Sequence, residues 1–294
     1  MKIINYGSLN LDYVYRVKDI VKPGETIDSY SVNHYPGGKG LNQTVALARA
    51  GARVCHGGMI GEDGLSLKKL LESEEVDCSY LKILPGHTGT AFIQVADNGQ
   101  NSIVLNGGTN RMNTEELCKQ ALESFGQGDI LLLQNEINLI DYLIDQAFEK
   151  GMYIVLNPSP ITESLLHCNL HKVSMFVMNE IEGQCITGKE ELEDILEEMR
   201  RKYPAADLVM TLGSEGAVYQ GREGSLRQRA FSVQAVDTTA AGDTFTGYLL
   251  AAMAEGKPVA ECLELASKAA AIAVTRMGAT SSIPYLKEVV SFTL

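Results

Sequence analysis

The sequence contains no tryptophan, and phenylalanine and tyrosine together make up only 6% of its residues. It is also poor in positive charge, because its formal net charge at pH 7 is −12. Nucleic acid and anionic membrane surfaces would repel such a chain, so we expect neither as a partner. A phosphate-bearing ligand would therefore have to be held by local N–H groups and a metal ion, because the overall charge opposes it.

Long apolar runs are absent as well. None approaches the ~20 residues that a membrane-spanning helix needs, and the first residues have a short strand pattern, unlike a signal peptide. The six cysteines are scattered without a C-x-x-C pair, which is typical of reduced, buried thiols. We therefore expect a cytoplasmic protein. With 294 residues, 45% of them hydrophobic, the chain can form one large α/β domain or two small ones.

Short buried strand patterns alternate with helical patterns along most of the chain, strictly so from residue 107. This order predicts an α/β fold with a doubly wound, mostly parallel sheet and helices on both faces. Four half-polar strand patterns stand outside the alternation, at residues 12–17, 26–34, 90–96 and 102–105. We predict that they form a small antiparallel β flap. Because no linker or repeat is visible, we expect a single domain over 1–294, with a β lid from about 10–38 and 88–106.

The stretch 237–247 leaves an apolar run, turns through small residues and enters a long helical pattern. Ala240, Ala241 and Gly242 have little or no side chain, so their backbone N–H groups can approach a ligand closely. A helix that begins near Gly242 would add unpaired N–H groups and a positive dipole end, which suits phosphate. Asp243 has two interpretations that this stretch leaves open. It is either a general base that removes a proton from an attacking hydroxyl or a helix cap.

A glycine-rich segment at residues 36–42 lies between a flap strand and a helix. Its glycines can bring the backbone close to a ligand, and they can form a flexible hinge. The two interpretations are compatible. The segment is not a P-loop, because the spacing to Lys39 is wrong and no Ser or Thr follows it. Asn10, Asp12 and Asn42 form a polar set that could bind the hydroxyls of a polyol, although Asn and Asp are also ordinary turn residues.

Two later segments also have both a structural and a functional interpretation. Asn179 and Glu182 fit a capping box at the start of a helix, or Glu182 orders water around a magnesium ion. Residues 211–216 follow a strand and either line a nucleotide or form a hairpin turn. Residues 57–61, Gly-Gly-Met-Ile-Gly, have the wrong spacing for a dinucleotide fingerprint, which argues against an NAD-linked oxidoreductase.

Four motifs follow one another along the chain: Gly-Gly-Lys-Gly-Leu-Asn-Gln at 37–43, Asn-x-x-Glu at 179–182, Thr-Leu-Gly-x-x-Gly at 211–216, and Asp-Thr-Thr-Ala-Ala-Gly-Asp at 237–243. With them the chain resembles, over essentially its whole length, the ribokinase-like (PfkB) family of carbohydrate kinases. The stretches that most resemble the ribose-phosphorylating members are 7–12, 23–26, 134–136, 157–160 and 273–279. The resemblance implies ATP-dependent phosphorylation of the primary hydroxyl of a small sugar, ribose before fructose, deoxyribose or a nucleoside.

The resemblance also implies a role for each matching residue. Asp243 would be the catalytic base, and the anion hole would consist of the amides of Ala240, Ala241 and Gly242. Besides Asp243, the sugar would contact Asn10, Asp12, Gly38, Lys39, Asn42 and Glu136. The nucleotide would be lined by Asn179, Thr211, Gly213, Ser214, Gly216, Gly242 and Ser267. Mg²⁺ would accompany ATP, with Glu182 acting through water, and K⁺ would be bound, mostly by backbone carbonyls, at Asp237, Thr239, Ala273, Arg276, Gly278 and Ser282.

One departure from the family concerns Ser267, where members often have His or Asn against the adenine. A non-catalytic sugar sensor on the same fold is a rival interpretation, but Asp243 and Gly242 argue against it, because a sensor needs no base. The exposed strand edges of the flap could pair with a second copy of the chain. We therefore expect a homodimer formed through the lid.

Overall fold

The structure is a computed structural model that describes residues 1–222 and 224–292. Its strands, in chain order, are β1 (Ile3–Tyr6), β2 (Asn10–Val17), β3 (Ser31–Gly37), β4 (Val54–Ile60), β5 (Asp77–Ile83), β6 (Gly89–Ala96), β7 (Asn101–Asn106), β8 (Ile130–Gln134), β9 (Tyr153–Asn157), β10 (Met175–Asn179), β11 (Asp207–Thr211), β12 (Ala217–Gly221) and β13 (Gly224–Gln228). Its α-helices are α1 (Lys39–Arg49), α2 (Leu65–Ser73), α3 (Glu115–Leu122), α4 (Ile140–Glu149), α5 (Glu163–Leu166), α6 (Glu180–Thr187), α7 (Leu192–Lys202), α8 (Ala241–Ala254), α9 (Val259–Val274) and α10 (Leu286–Ser291).

Nine of these strands form one large sheet, in the order β13-β12-β11-β10-β9-β8-β1-β4-β5. Pairing is parallel from β5 through β1 to β11, and β12 and β13 add an antiparallel edge. Buried apolar side chains cover one face beneath α1, α2, α8, α9 and α10, and the other beneath α3 to α7. The predicted doubly wound sheet with helices on both faces is confirmed.

The central strands of this sheet are continuous apolar runs, since helices cover both of their faces. β8, for example, is Ile-Leu-Leu-Leu-Gln and is buried throughout. The edge strand β5 instead exposes most of its residues, among them Asp77 and Lys82. The sequence pattern did not reveal the edge strands β5 and β13, because an edge strand needs no continuous apolar run. It also missed β12, whose buried run is only three residues long. Within the described residues, no helix is both long and apolar enough to cross a membrane.

The remaining four strands form a separate sheet in the order β3-β2-β6-β7. The expectation of a wholly antiparallel flap is wrong, because β2 and β6 pair in parallel, from Asn10 opposite Gly89 to Val17 opposite Ala96. Both strands leave the carboxyl edge of the large sheet, after β1 and β5 respectively, so both run outward. The second flap strand, β3, lies a few residues later than expected because it pairs with β2, and Gly37 lies opposite Asn10.

Helices α1 and α8 pack with their backbones unusually close at Gly247. A Cβ atom at Gly247 would lie 2.8 Å from the backbone nitrogen of Leu47. Such a distance is shorter than any van der Waals contact, so only glycine allows this approach. The contact sets the first turn of α8 beside the first turn of α1.

The cysteines are less buried than the sequence suggested. Cys118 and Cys262 are buried, whereas Cys55, Cys78 and Cys168 are half-buried and Cys185 is exposed. The expectation of buried thiols is therefore wrong for Cys185, which lies on the exposed side of α6. Burial, together with the nearby Asp77 carboxylate, raises the pKa of Cys55 to about 12.

Candidate active site

The carboxyl ends of β1 and β8 lie side by side where the strand order reverses, since β4 follows on one side and β9 on the other. Open α/β sheets bind their ligands in this crevice. Glu136, just after β8, accepts hydrogen bonds from the Ser8 hydroxyl and from the backbone N–H of Lys39, the latter at 3.0 Å. Loops from β1, β8 and α1 thus meet at the crevice.

The glycine-rich segment packs tightly against the start of β2. Gly38 has φ of +94°, and a Cβ atom there would lie 3.1 Å from the backbone nitrogen of Asn10. A Cβ atom at Gly37 would collide with the Asp12 carboxylate. The glycines therefore allow the segment to pack closely against Asn10 and Asp12, which lie in the crevice.

Polar atoms in this crevice lack protein partners. Asn10 is buried and accepts a hydrogen bond from Asn110 Nδ2 at 2.8 Å. Among the described residues, no group donates to the buried Oδ1 atoms of Asp12 and Asn42. Burial, and then the charge of Glu136, raise the pKa of Asp12 to about 7. Buried oxygens without partners are rare in native proteins, and hydroxyl groups of a ligand can supply the missing donors.

The Asp243 carboxylate lies in the first turn of α8 and is 7% exposed. The helix begins after Ala240, whose φ is +59°, and no side chain caps it. The interpretation of Asp243 as the cap is therefore wrong. Its oxygens instead accept hydrogen bonds from α1, with Oδ2 2.9 Å from Asn42 Nδ2 and Oδ1 2.9 Å from Gln43 Nε2. This carboxylate is held between two helices from opposite ends of the chain.

The side chain of Lys39 provides positive charge beside this carboxylate. Burial disfavours its charged form, but the carboxylates of Asp243, Glu136 and Glu182 outweigh burial and raise the pKa of Lys39. Its ammonium group therefore stays charged at neutral pH. A phosphate group can be neutralised here although the chain as a whole is acidic.

Two adjoining cavities bring the residues predicted to bind the nucleotide and its phosphates together. One of about 450 Å³, a size suited to a small-molecule ligand, is lined by Thr211, Gly213, Ser214, Gly216, Gly242 and Ser267. The other is lined by Lys39, Asn179, Glu182, Ala240 and Asp243. Both cavities share Ala241 and Gly242, so they meet at the start of α8.

Two of the predicted cavity residues also have the structural role that the sequence left open. Asn179 and Glu182 form a complete capping box, with Asn179 N to Glu182 Oε2 at 3.0 Å and Glu182 N to Asn179 Oδ1 at 2.9 Å. Residues 213–215 form a short 3₁₀ turn between the antiparallel strands β11 and β12, so the hairpin interpretation is confirmed. Both elements nevertheless border a cavity.

The loop predicted for K⁺ is tied together by Asp237. Its carboxylate accepts hydrogen bonds from the backbone N–H and hydroxyl of Thr239, at 2.9 and 2.6 Å, and from Gly278 N at 2.9 Å. Burial opposes ionisation, but these hydrogen bonds outweigh it and lower the pKa of Asp237. The side chain of Arg276 is turned to Glu288, 2.6 Å away, so only its backbone is available to an ion. In the described part of the chain, no cluster of three or more His, Cys, Asp or Glu side chains could hold a metal ion.

Several groups at the site did not stand out in the sequence. Asn110 orients Asn10 from a 3₁₀ turn about 100 residues away, and no local pattern marks it. Gln43 ends the first glycine motif, yet its contact with Asp243 depends on the packing of α1 against α8. Phe231 and Val233 line the larger cavity from a segment without regular structure. These apolar residues give that cavity one side suited to a flat ring.

Comparison with known proteins agrees with this geometry. The family described as pfkB family carbohydrate kinase matches residues 1–286. The chain is 37% identical to the ribokinase of Haemophilus influenzae over 300 residues, or 97% of this chain and 96% of that protein. It is 35% identical to the ribokinase of Schizosaccharomyces pombe over 311 residues, or 98% and 96% of the two chains. The structure of Arabidopsis thaliana ribokinase complexed with ribose and ATP, 29% identical, matches with a TM-score of 0.85 over 99% of each chain. This chain therefore belongs to the pfkB family of carbohydrate kinases.

Proposed function

We propose that this carbohydrate kinase transfers the γ-phosphoryl group of ATP to the primary hydroxyl of ribose. The observation that carries the proposal is the buried Asp243 carboxylate where two cavities meet, beside a crevice with unpartnered oxygens. A sugar hydroxyl and a terminal phosphate can meet at that point. The ribokinases that match the chain over nearly its full length support ribose as the acceptor.

Asp243 acts as the general base in this proposal. It accepts the proton of the attacking hydroxyl, while the start of α8 and the Lys39 ammonium group stabilise the charge on the transferred phosphoryl group. Ala241 donates its N–H to the Thr238 carbonyl oxygen at 3.2 Å. The amide of Gly242, exposed at the helix start where no intrahelical acceptor exists, is therefore the main anion-binding group of this turn.

The sugar is bound by the polar groups of the crevice. The Oδ1 atoms of Asp12 and Asn42 accept hydrogen bonds from its hydroxyls, and Asn10 donates through Nδ2, because its Oδ1 is already engaged with Asn110. Glu136 contributes its second oxygen, and Gly38 lets the backbone of the segment approach the sugar. Adjacent hydroxyls on one face of ribose match this closely spaced set of acceptors.

The larger cavity binds the nucleotide, with Ser267 and Phe231 on the base side and Gly242 toward the phosphates. Mg²⁺ enters with ATP, and Glu182 has one oxygen free of the capping box with which to order its water shell. Backbone carbonyls in the two segments that Asp237 joins, 237–239 and 273–282, form the proposed K⁺ site. The scattered cysteines support a reducing, cytoplasmic compartment.

The four-stranded sheet is the proposed lid and the dimer interface. Because side chains alternate along a strand, Asp12 faces the crevice and Tyr13 faces away. Tyr13 stacks on Phe92 at 5.3 Å and meets His34 edge-on at 4.4 Å, between ring centroids. Phe92 and Val104 on this outer face are 42% and 63% exposed. A second copy of the same face would cover these apolar side chains and leave the inner face free to close over the sugar.

Replacing Asp243 by Asn tests the base. Asn keeps the size, but its single oxygen can accept from only one of the two α1 amides, and it cannot accept a proton. We expect kcat to fall by ~10²–10⁴-fold, with little change in KM for ATP or ribose, measured as ADP release. Asp194→Asn is the matched control, because Asp194 is the third residue of α7 as Asp243 is of α8, and it is exposed. Retention of more than half of the wild-type kcat by Asp243→Asn would refute the role of the base.

A competition among acceptors tests the substrate. A 2-deoxysugar leaves part of the buried polar set unpaired, which costs about 1–3 kcal/mol, so ribose should exceed 2-deoxyribose at least tenfold in kcat/KM. Ribose, 2-deoxyribose, fructose and adenosine are supplied at equal concentration with limiting ATP, and the phosphorylated products are quantified. If fructose or adenosine takes most of the phosphate, the chain is a kinase that phosphorylates another acceptor, and ribose as the substrate is refuted.

The pKa of Asp12 gives the sugar site a pH dependence. A pKa of about 7 means that the carboxyl becomes protonated as the pH falls below 7, so one acceptor for the sugar hydroxyls is lost. We expect KM for ribose to rise between pH 7.5 and about 6, while KM for ATP stays nearly constant. Asp12→Asn, which cannot titrate, should have a higher and pH-independent KM for ribose. The same rise in the variant as in the wild type would assign the effect to another group.

The dimer is tested at its proposed centre. Phe92→Asp places a charge among the exposed apolar side chains of the outer face, so we expect it to convert a dimer into a monomer in light scattering at micromolar concentration. Val290→Asp is the matched control, since Val290 is 68% exposed on α10, outside the lid. A wild-type protein that is monomeric and fully active under these conditions would contradict the proposal.

A further inference from the structure

A chain of buried amide side chains leads from the interior of the large sheet to Asp243. Asn5 on β1, Gln134 on β8 and Gln43 on α1 are each 0% exposed. Gln134 Nε2 donates to Asn5 Oδ1 at 2.9 Å and to Gln43 Oε1 at 2.6 Å. Gln43 Nε2 in turn donates to Asp243 Oδ1 at 2.9 Å. Three amides from three elements therefore connect in one direction and end on the carboxylate.

The donor-to-acceptor direction of these hydrogen bonds is set at the inner end of the series, at Asn5. Asn5 Nδ2 lies 2.8 Å from the backbone carbonyl oxygen of Gly40, which can only accept a hydrogen bond. Asn5 must therefore present its nitrogen to Gly40 and its oxygen to Gln134. Gln134 must then donate to both neighbours, and Gln43 receives that bond on its oxygen. Only the nitrogen of Gln43 is left to face Asp243, so the amide orientation at the base is fixed by a backbone group.

Reversing any one amide would set two oxygens against each other inside the core. Gln134 keeps this orientation at an energetic cost, because its Oε1 is then buried without a hydrogen-bond partner among the described residues. The second N–H of Gln43 is engaged as well, with Asn157 Oδ1 at 3.2 Å, and Asn157 donates to the carbonyl oxygen of Val177. Gln43 therefore has a single orientation that satisfies its neighbours.

We propose that Gln43 is a positioning residue for Asp243, and that Gln134 and Asn5 fix the direction of the Gln43 amide. The inference rests on the proposed role of Asp243 as the general base. A donor on Oδ1 from Gln43 and one on Oδ2 from Asn42 hold the carboxylate plane in place and favour its charged form. Gln43 does not reach the substrate, and its effect passes through Asp243 alone.

Gln43→Met removes the donor while keeping length and volume. We expect kcat to fall about 10- to 100-fold, the net contribution of a hydrogen bond to a charged group, with KM for ATP and ribose within about threefold of wild type. The pH at which kcat reaches half of its plateau should move upward, because the carboxylate has lost a donor. A general loss of structure would instead lower the melting temperature and raise both KM values.

Gln134→Met, which does not touch Asp243, supplies a second variant in case Gln43→Met does not fold. It leaves the Gln43 oxygen without a donor, so we expect kcat to fall about two- to tenfold, the net contribution of one neutral hydrogen bond. Gln127→Met is the control, because Gln127 is exposed in the turn before β8, at the opposite end of the sheet. Its kcat should equal that of the wild type.

The double variant decides whether the two glutamines act through one path. If Gln134 acts by orienting Gln43, then Gln134→Met should cause no further loss of kcat in the Gln43→Met background. Equal losses in both backgrounds, or a wild-type kcat and pH profile in Gln43→Met, would overturn the proposal. Asp243→Asn measured in parallel separates the two hypotheses. Its inactivity beside an unaffected Gln43→Met refutes only the positioning role, whereas a fully active Asp243→Asn refutes the proposed base itself.

Discussion

The close packing of α8 on α1 is the constraint on which the active site depends. Gly247 allows the two backbones to approach, and the contact brings Asp243 within 2.9 Å of two amides that lie about 200 residues earlier in the chain. A side chain at position 247 would move the carboxylate away from both donors at once. The stability of the core and the geometry of the site are thus set by the same contact.

Much of the fold could be predicted because its buried elements have simple patterns. A strand covered on both faces, such as β8, must be a continuous apolar run, and the alternation of such runs with helices implies a parallel sheet. Edge strands such as β5 and β13 are half-polar, so the same rule does not detect them. Neither strand's sequence predicts the parallel pairing of β2 with β6, because the pairing follows from the places where both strands leave the large sheet.

The candidate site likewise has features that the sequence predicts and features that it does not. Small residues ahead of Asp243 predict a phosphate site, because local backbone geometry depends on local side chains. Whether Asp243 caps the helix could not be predicted, since Ala240 takes a left-handed conformation that alanine rarely adopts. The contacts of Asn110 and Gln43 join segments far apart in sequence, and only the folded chain brings them together.

The proposed lid and the proposed base are supported by different parts of the fold. The proposed sugar contacts Asn10 and Asp12 stand on β2, which belongs to the four-stranded sheet, whereas Asp243 is held from within the large sheet and by α1. In the proposed mechanism, substitutions on the inner face of the four-stranded sheet can therefore alter which alcohol is admitted and leave the proposed proton acceptor, Asp243, undisturbed. A protein divided in this way can diversify its choice of acceptor by small mutational steps, because no step requires the reaction centre to be rebuilt.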